Sequence, residues 1–480
     1  MMSKAGNMTP ILEAKARVVT RETRLVWIVT VAVAGIYLAA AVIRLETGRA
    51  TEWDFGYFSQ VLWLIAHGHW AAKSTLNGHL AITDAGSAIL YPIGLLYPWL
   101  GSVGILAIQA AALASGLPFL HWWLNRTRCP EVLRWVVLGA YVVYPAVLGP
   151  ALFDWHPDAL AIPAAFYALW AIEERKPWHY WLAVLLLLST KVTSGFVVAG
   201  LAVPWLMRRE WWIGISTVLV GISAAFGEVD WLFPLMTGHT MPQWTHYYGW
   251  LGPTPVSGLK FLLSHPGAVI HVLSSANRII YLAALLAPIG IVPTVRSLAH
   301  GGWVYPAWII IGFNLLSSFG GQQNPYNQYS AVVAPFVFVS LVVWLPRLRI
   351  RTQSLAAIAL TCASLSMVLW FFMVERPVLW EPNPPTAALA EASRYVPAKA
   401  PLYGQDATLT RLSDRVSVHM LPLPRGASPG TVVILTTDVN PLTTASARAI
   451  VDRTLSRLNH HPQHWTRIFD RGNVWVFRRR

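Results

Sequence analysis

Long apolar segments alternate with short polar loops along most of the chain. The segments lie at 24–43, 101–122, 132–150, 159–173, 178–207, 211–228, 279–296, 303–320, 330–346 and 354–373. Many approach the roughly 20 apolar residues that an α-helix needs to cross a bilayer. The segment 178–207 is too long for one crossing and is interrupted at Ser189-Thr190-Lys191, so it is divided into two short helices. The pattern predicts a polytopic α-helical membrane protein with about eleven transmembrane helices.

Composition supports a membrane protein. The 480 residues are 55% hydrophobic and 12% charged, whereas soluble chains carry about 25% charged residues. The net charge of +14 would suggest nucleic acid in a soluble protein. Here the basic residues lie in short loops, so we expect no nucleic-acid partner. Cys129 and Cys362 provide neither a disulfide framework nor metal-ligand spacing.

The basic loops predict the orientation of the chain. Lysine and arginine concentrate in cytoplasmic loops, and the N-terminal segment 1–23 is basic. We therefore expect a cytoplasmic N-terminus, a transmembrane domain over 24–380 and a long external loop at 44–100. The apolar end of that loop, 86–100, contains Pro92 and Pro98 and predicts an interfacial helix. If 86–100 crossed the membrane instead, the orientation of everything after it would be inverted.

Residues 381–480 differ in composition from the rest of the chain. A Pro-rich linker at 381–385 precedes a helical pattern at 386–396 and strand patterns at 402–404, 416–421 and 431–436. A second helical pattern covers 442–458, and Gly472-Asn473 predicts a hairpin turn. We expect a small extracytoplasmic α/β domain. Its basic charge suits contact with anionic lipid or a phosphate-bearing substrate, but an ordinary solvated surface explains it equally well.

Asp54 follows the first apolar segment and is the leading catalytic candidate. A carboxylate near the membrane surface is costly unless it has a function, and it can act as a general base toward a hydroxyl. The alternative is a helix cap, a position that aspartate favours. Asp154, His156 and Asp158 form a second cluster. They suit polar substrate contact or, through Asp154 and His156, a divalent metal; a turn around Pro157 is the plainer explanation.

Further polar residues are predicted on the same side of the membrane. His79 and Asp84 lie in the first external loop and either line a cavity or are ordinary interfacial residues. Lys191 interrupts an apolar run, where its amine either binds a phosphate or snorkels to the surface. Amides and phenols from Gln322 to Tyr329 follow the ninth predicted helix. An ordinary loop is a sufficient explanation, and the alternative is hydrogen bonding to a sugar or lipid headgroup, for which the candidates are Tyr326, Gln328 and Tyr329.

Several of these motifs resemble the DUF2079 family of predicted prokaryotic membrane proteins. They are the stretch from Trp53 to Trp63, the stretch from Phe153 to Asp158, Thr190-Lys191, and Asn327-Gln328-Tyr329 ahead of Pro335-Phe336. That family is grouped with the GT-C glycosyltransferases, which use a polyprenyl-phosphate-linked sugar and carry an acidic residue in the first external loop. Asp54 matches that position. In the family the lysine is often followed by acidic residues, whereas Val192 and Thr193 follow Lys191 here.

The resemblance implies a GT-C-like fold in a prokaryotic plasma membrane and a glycosyltransferase acting at the extracytoplasmic face. Asp54 is then the catalytic base; the predicted substrate contacts are Gln60, His79, Asp84, Asp154, His156, Asp158, Lys191, Tyr326, Gln328 and Tyr329. The expected partners are a polyprenyl-phosphate sugar and membrane lipids, with a divalent metal possible and the oligomeric state open. Two alternatives are a lipid or solute transporter and a non-catalytic envelope assembly factor. The chain shows no internal repeat, which disfavours the transporter.

Overall fold

The computed structural model describes residues 8–84, 86–238, 242–287, 289, 296–298, 301–375, 386–438 and 445–480. The predicted linker 381–385 lies outside the described residues. The first half of the chain forms the α-helices α1 (Met8–Glu46), α2 (Tyr57–Ala66), α3 (Ala81–Asp84), α4 (Leu90–Ala114), α5 (Gly116–Arg126), α6 (Glu131–Val142), α7 (Pro145–Ala151), α8 (Ala161–Glu173), α9 (Pro177–Leu188), α10 (Ser194–Met207) and α11 (Trp211–Phe226).

The second half begins with α12 (Phe233–Thr237), α13 (Pro242–Tyr248), α14 (Pro255–Ser264), α15 (Pro266–Leu273), α16 (Ala276–Leu286), α17 (Tyr305–Leu316), α18 (Val333–Trp344) and α19 (Ile350–Trp370). The C-terminal region adds α20 (Thr386–Ser393), α21 (Asp406–Leu409) and α22 (Ala445–His460). Its strands are β1 (Leu402–Gly404), β2 (Val418–Met420), β3 (Val432–Thr436), β4 (Trp465–Arg471) and β5 (Val474–Arg479).

Fewer helices are long enough to cross a membrane than the hydropathy pattern predicts. Four described helical stretches meet the length and composition needed: Arg21–Glu46, Leu90–Arg126, Trp211–Thr237 and Arg351–Met373. The number rises to six if each of two bent helix pairs crosses as one unit. Five other apolar helices have 10–17 residues. At 1.5 Å per residue these are about 15–26 Å long, less than the ~30 Å hydrocarbon core. The predicted count of eleven is therefore not confirmed.

Helix α4 contains a sharp break at Gly101, three residues after Pro98. Gly101 has φ 56° and ψ −168°, a conformation open to glycine because it lacks a Cβ. The eleven residues 90–100 thus form a separate piece of helix, about 16 Å long. That piece is too short to cross hydrocarbon alone. An interfacial position for 86–100 remains a prediction, and this break supports it.

The helices run between two ends with different chemistry. The first end, which we call the carboxylate end, contains Asp54, Asp158 and Lys191 around one cavity. The other, the arginine end, contains Arg126 and Arg208 around a second cavity.

Several single helices extend from one end to the other. Helix α8 begins just after Asp158 and finishes at Glu173, while α10 begins just after Lys191 and finishes just before Arg208. Between the two ends lies a continuous buried core that includes Tyr141, Phe166 and Phe338.

The C-terminal region forms a five-stranded sheet in the order β2-β1-β3-β5-β4. Strand β1 is parallel to β2 and β3, whereas β5 is antiparallel to β3 and β4. The predicted hairpin is confirmed, with Arg471 paired to Val474 across Gly472 and Asn473. Both turn residues have positive φ, 56° and 57°, as a tight two-residue hairpin loop requires. The structure therefore has the small C-terminal α/β unit that the sequence predicts.

Candidate functional site

Asp54 lies in a short π-helical turn that comes shortly after α1. The turn comprises Glu52–Gly56 and leads directly into α2. Its cap is Thr51, whose hydroxyl oxygen accepts a hydrogen bond from the Asp54 backbone N–H at 3.3 Å. Asp54 is therefore not the cap that the alternative explanation requires. Its carboxylate remains available to the cavity, with 29% of the side chain exposed.

His156 is the main partner of Asp54. Its Nε2 lies 3.1 Å from Asp54 Oδ1, and its Nδ1 lies 3.1 Å from the Asp154 backbone oxygen. The His156 backbone N–H donates to Gln109 Oε1 at 2.8 Å. The ring is thus fixed at both nitrogens and through its backbone, which aims Nε2 at the carboxylate.

Electrostatics favour an ion pair between these two side chains, which lie in loops outside the membrane-spanning segments. Burial by itself raises the pKa of Asp54 and lowers that of His156. Their mutual hydrogen bond and opposite charges outweigh burial, so the pKa of Asp54 falls below its usual range and that of His156 rises. A carboxylate facing an imidazolium is the resulting state.

Gln328 completes this arrangement. Its amide group lies 3.1 Å from His156 Nε2. The amide atom nearest the ring is Gln328 Nε2, whereas a protonated His156 Nε2 cannot accept and carries one hydrogen, which faces Asp54 Oδ1; a hydrogen bond from the imidazolium to this amide would require the reversed amide and a shared hydrogen. The two ends of a glutamine amide are assigned from such networks. Gln328 therefore contacts the His156 ring and also lines the cavity.

Asp154 lies behind Asp54 and does not line the cavity. Its Oδ1 accepts from Arg44 Nε at 2.7 Å, and its Oδ2 accepts from the Thr51 N–H at 2.9 Å. The Thr51 hydroxyl lies 2.8 Å from Asp154 Oδ2 and 3.0 Å from Asp54 Oδ2. Its single proton can therefore go to either carboxylate.

The predicted substrate or metal contact of Asp154 is therefore not supported. With 1% of its side chain exposed, this carboxylate ties the end of α1 to the loop before α8. Among the described residues there is no group of three or more His, Cys, Asp or Glu side chains that could hold a metal ion.

The carboxylate-end cavity has a volume of about 230 Å³. Three carboxylates line it, Asp54, Asp84 and Asp158, together with Lys191. Aromatic side chains form much of the remaining wall: Trp53, Tyr57, Phe58, Phe196, Phe226, Trp244, Tyr247, Tyr248, Phe313 and Tyr329. A mostly apolar and aromatic wall with a few placed polar groups is typical of small-ligand sites.

Lys191 lines the cavity and has two partners there. Its Nζ lies 2.8 Å from Asp158 Oδ1 and 4.6 Å from the centre of the Tyr329 ring. One carboxylate and one aromatic face thus hold the amine in place. The snorkelling alternative does not fit this geometry.

The structure separates the predicted site residues into two groups. Those that line the cavity are Asp54, Asp84, His156, Asp158, Lys191, Gln328 and Tyr329. His79 lies behind Asp84, with Nδ1 2.9 Å from Asp84 Oδ1. Gln60 is fully buried and bonds to Ser74 and Thr75. Tyr326 donates its hydroxyl to the Met367 backbone oxygen at 2.8 Å. Gln60, His79 and Tyr326 therefore do not line the cavity, in contrast to the prediction.

Sequence reasoning missed several residues of the site. Gln109 supports His156, and Tyr247 and Tyr248 line the cavity. A signal was available for Gln109, which is a polar residue within the apolar segment 101–122. Such residues usually have a buried partner. Tyr247 and Tyr248 come from an irregular segment without a clear hydrophobic period, so their position depended on the tertiary fold.

The arginine end holds a larger and more open cavity of about 820 Å³. Arg126 Nε donates to Glu173 Oε1 at 3.0 Å, and Arg208 pairs with Glu173 Oε2. The Arg208 guanidinium also lies 4.6 Å from the Trp303 ring centre. Both carboxylate oxygens of Glu173 are thus engaged by cations. This cavity has the volume of a binding site, but both oxygens of its carboxylate already have cationic partners.

Comparisons with known proteins bear on the family and the fold. The model of a family described as "Predicted membrane protein (DUF2079)" matches residues 44–401. The fold is similar to the crystal structure of ArnT from Cupriavidus metallidurans in the apo state, with a TM-score of 0.55 and 14% identity. That likeness covers 94% of this chain and 97% of that chain, and at this identity it shows the fold alone. No curated protein matches the chain.

Proposed function

Since the chain belongs to the DUF2079 family of predicted membrane proteins and has a fold similar to that of ArnT, a GT-C glycosyltransferase, we propose that it is a membrane glycosyltransferase. It moves a sugar from a polyprenyl-phosphate-linked donor to an acceptor hydroxyl at the extracytoplasmic face. The observation that carries this proposal is the Asp54 carboxylate, which lines an aromatic cavity and is paired with His156 at 3.1 Å.

Asp54 is the general base. It takes the proton of the acceptor hydroxyl while that oxygen attacks the anomeric carbon of the donor sugar. The bond between the anomeric carbon and the phosphate oxygen breaks, and the leaving polyprenyl phosphate keeps the electron pair. A single displacement inverts the anomeric configuration. The low pKa of Asp54 keeps the base ionised, and the His156 imidazolium orients the carboxylate.

Lys191 is the cation for the leaving phosphate. Negative charge increases on the phosphate oxygen as the bond breaks, and a fixed ammonium group stabilises that charge. Asp158 holds Lys191 in position in the free protein, at 2.8 Å. A phosphate entering the cavity shares the amine with this carboxylate, because an ammonium group has three donors.

The remaining polar side chains of the cavity are suited to the sugar hydroxyls. Asp84 and Gln328 offer acceptors and donors on the cavity wall. Tyr329 presents its ring to Lys191 and its hydroxyl to Tyr247 at 3.5 Å. The donor's polyprenyl chain then lies among the apolar helices. The C-terminal domain and the long loop 44–100 belong to the extracytoplasmic side in this proposal.

The charges at the two ends support this orientation. Arg126, Arg208 and Arg347 line the cavity at the arginine end, and the positive-inside rule assigns such an end to the cytoplasm. The carboxylate end then faces the opposite side. A lipid-linked sugar in the outer leaflet reaches Asp54 by lateral diffusion.

Substitution of the base provides the test. Asp54→Asn keeps the size of the side chain and removes the basic oxygen, so transfer from a polyprenyl-phosphate sugar is expected to fall by about 10²–10⁴-fold. The measurement is turnover of radiolabelled donor by purified protein in proteoliposomes. Asp452→Asn, an exposed position on α22, is the matched control and is expected to keep full turnover. Wild-type transfer by a folded Asp54→Asn protein would show that Asp54 is not the base.

A further inference from the structure

The C-terminal domain contacts the same short turn that carries Asp54. We propose that Asp406 and Ser413 of this domain are positioning residues that hold the Glu52–Gly56 turn and thereby aim the Asp54 carboxylate into the cavity. This inference rests on the proposed function. It adds that the C-terminal domain helps to position the proposed catalytic base.

Two contacts reach Glu52, two residues before Asp54. The Glu52 backbone N–H donates to Asp406 Oδ1 at 2.5 Å. The Ser413 hydroxyl lies 2.7 Å and 2.8 Å from the two carboxyl oxygens of Glu52. Glu52 itself is completely buried. Backbone and side chain of the same residue are therefore both held by the C-terminal domain.

The buried position of the Glu52 side chain depends on the glycine at position 56. A Cβ atom placed on Gly56 would lie 2.0 Å from Glu52 Oε2, so only glycine leaves room for the carboxyl group. Burial also raises the pKa of Glu52 well above its usual range. A neutral carboxyl can both donate and accept, which matches a hydroxyl placed between its two oxygens. The contact between Glu52 and Ser413 therefore depends on the conformation of the turn and on Gly56.

Neighbouring contacts extend this attachment along the chain before Asp54. Thr410 donates its hydroxyl to the Ala50 backbone oxygen at 3.1 Å. Arg411 Nη2 pairs with Glu46 at 2.5 Å, at the end of α1. The C-terminal domain therefore contacts residues 46, 50 and 52, which lie just before the base.

The helical domain holds the turn from the other side. Asp154 accepts the Thr51 N–H at 2.9 Å, and His156 faces Asp54 at 3.1 Å. The turn is therefore fixed between Asp154 and His156 on one side and Asp406 and Ser413 on the other. Loss of either side is expected to let the carboxylate move, and displacement of a reacting group by about 1 Å can cost a factor of 10² in rate.

A pair of substitutions at Asp406 isolates the hydrogen bond to the turn. Asp406→Ala removes the acceptor of the Glu52 N–H, whereas Asp406→Asn keeps an oxygen at that position. We expect the alanine variant to lose about tenfold in kcat with KM changed less than twofold, since one hydrogen bond to a buried N–H is lost. The asparagine variant is expected to stay within about twofold of wild type, by the same reasoning.

Hydrogen exchange measured by mass spectrometry supplies a readout that needs no substrate. Peptides covering residues 45–57 are expected to exchange faster in Asp406→Ala than in Asp406→Asn, with the helical core unchanged. Arg471→Gln, which breaks an exposed ion pair with Glu391 in the same domain, is the control and should change neither readout. If Asp406→Ala does not fold, Ser413→Ala serves for both measurements.

The outcomes separate this inference from the proposed function. Faster exchange together with a lower kcat supports the positioning role. Faster exchange with unchanged kcat, or no change in either, overturns it. If Asp54→Asn is itself fully active, the proposed function fails, and the exchange data alone still show whether Asp406 holds the turn.

Discussion

The carboxylate end and the arginine end both combine charged side chains, aromatic rings and a cavity, yet their acidic groups have different partners. At the arginine end, Arg126 and Arg208 engage both oxygens of Glu173. At the carboxylate end, Asp54 faces the cavity with 29% of its side chain exposed and a histidine as its main partner. The larger cavity lies at the arginine end, about 820 Å³ against about 230 Å³. The proposed reactive end therefore has the smaller cavity, and its accessible carboxylate is the feature that supports the proposal.

The same distinction divides the two carboxylates that share Thr51. Asp154 is saturated by Arg44 and the Thr51 backbone, as Glu173 is by its arginines. Asp54 lines the cavity, and its partner His156 can exchange protons. A structural acid and the proposed base thus lie within hydrogen-bonding distance of one hydroxyl. Predictions that treat these acids differently can test the comparison, and we order them by expected size.

The largest effect is expected at Asp154. Asp154→Ala leaves the buried Arg44 guanidinium and the Thr51 N–H without their partner. Breaking one side of a buried ion pair costs about 3–5 kcal/mol of stability. The measurement is the free energy of unfolding, determined in detergent by denaturant titration.

A double substitution is the control for this prediction. Arg44→Met with Asp154→Leu removes both charges, and stability is expected to recover by more than half because no uncompensated charge remains. A loss below about 1 kcal/mol in Asp154→Ala would mean that Asp154 is not the structural acid described here.

A smaller effect is expected in the pH dependence of turnover. The Asp54 pKa is lowered, so the base is ionised at pH values above that lowered pKa. Activity should therefore be lost only as pH falls through the lowered pKa. The His156 pKa is raised, so activity that needs the imidazolium is lost as pH rises through it. His156→Gln should remove the alkaline limb, move the acid limb to higher pH and lower kcat by about tenfold, since a charge-assisted hydrogen bond is lost.

The matched control for this pH profile is His461→Gln, an exposed histidine of the C-terminal domain. It should reproduce the wild-type profile. An alkaline limb that persists in His156→Gln assigns that limb to another group and removes the ion pair from the mechanism.

Much of the carboxylate end could be predicted from the sequence. Alternating apolar and polar segments predict that Asp54, His156 and Lys191 meet at one end, and the structure places them around one cavity. Alternation fixes only the end at which a loop lies, so it could not show that Asp154 is saturated while Asp54 is accessible. That difference depends on Arg44, which is 110 residues from Asp154 in the chain.

The limits of the fold prediction have a similar origin. Local patterns located β1, β3 and the hairpin of β4 and β5, because strand residues and turn residues are neighbours in sequence. The count of eleven transmembrane helices is not confirmed, because hydropathy measures apolar length without showing where a helix breaks. Contacts such as the one between Glu52 and Asp406 join residues 354 positions apart, and no local pattern reports them.

The smallest effect is expected at Glu173, and it bears most directly on the comparison. Glu173→Gln weakens two ion pairs whose side chains are 20–49% exposed. Exposed pairs contribute about 0–1 kcal/mol and are screened by salt. We therefore expect a loss of about 1 kcal/mol or less in unfolding free energy, smaller still at high salt, with kcat within twofold of wild type. A fall in kcat of more than tenfold in the folded variant would place the arginine end in the reaction, and the division between structural and reactive acids would then fail.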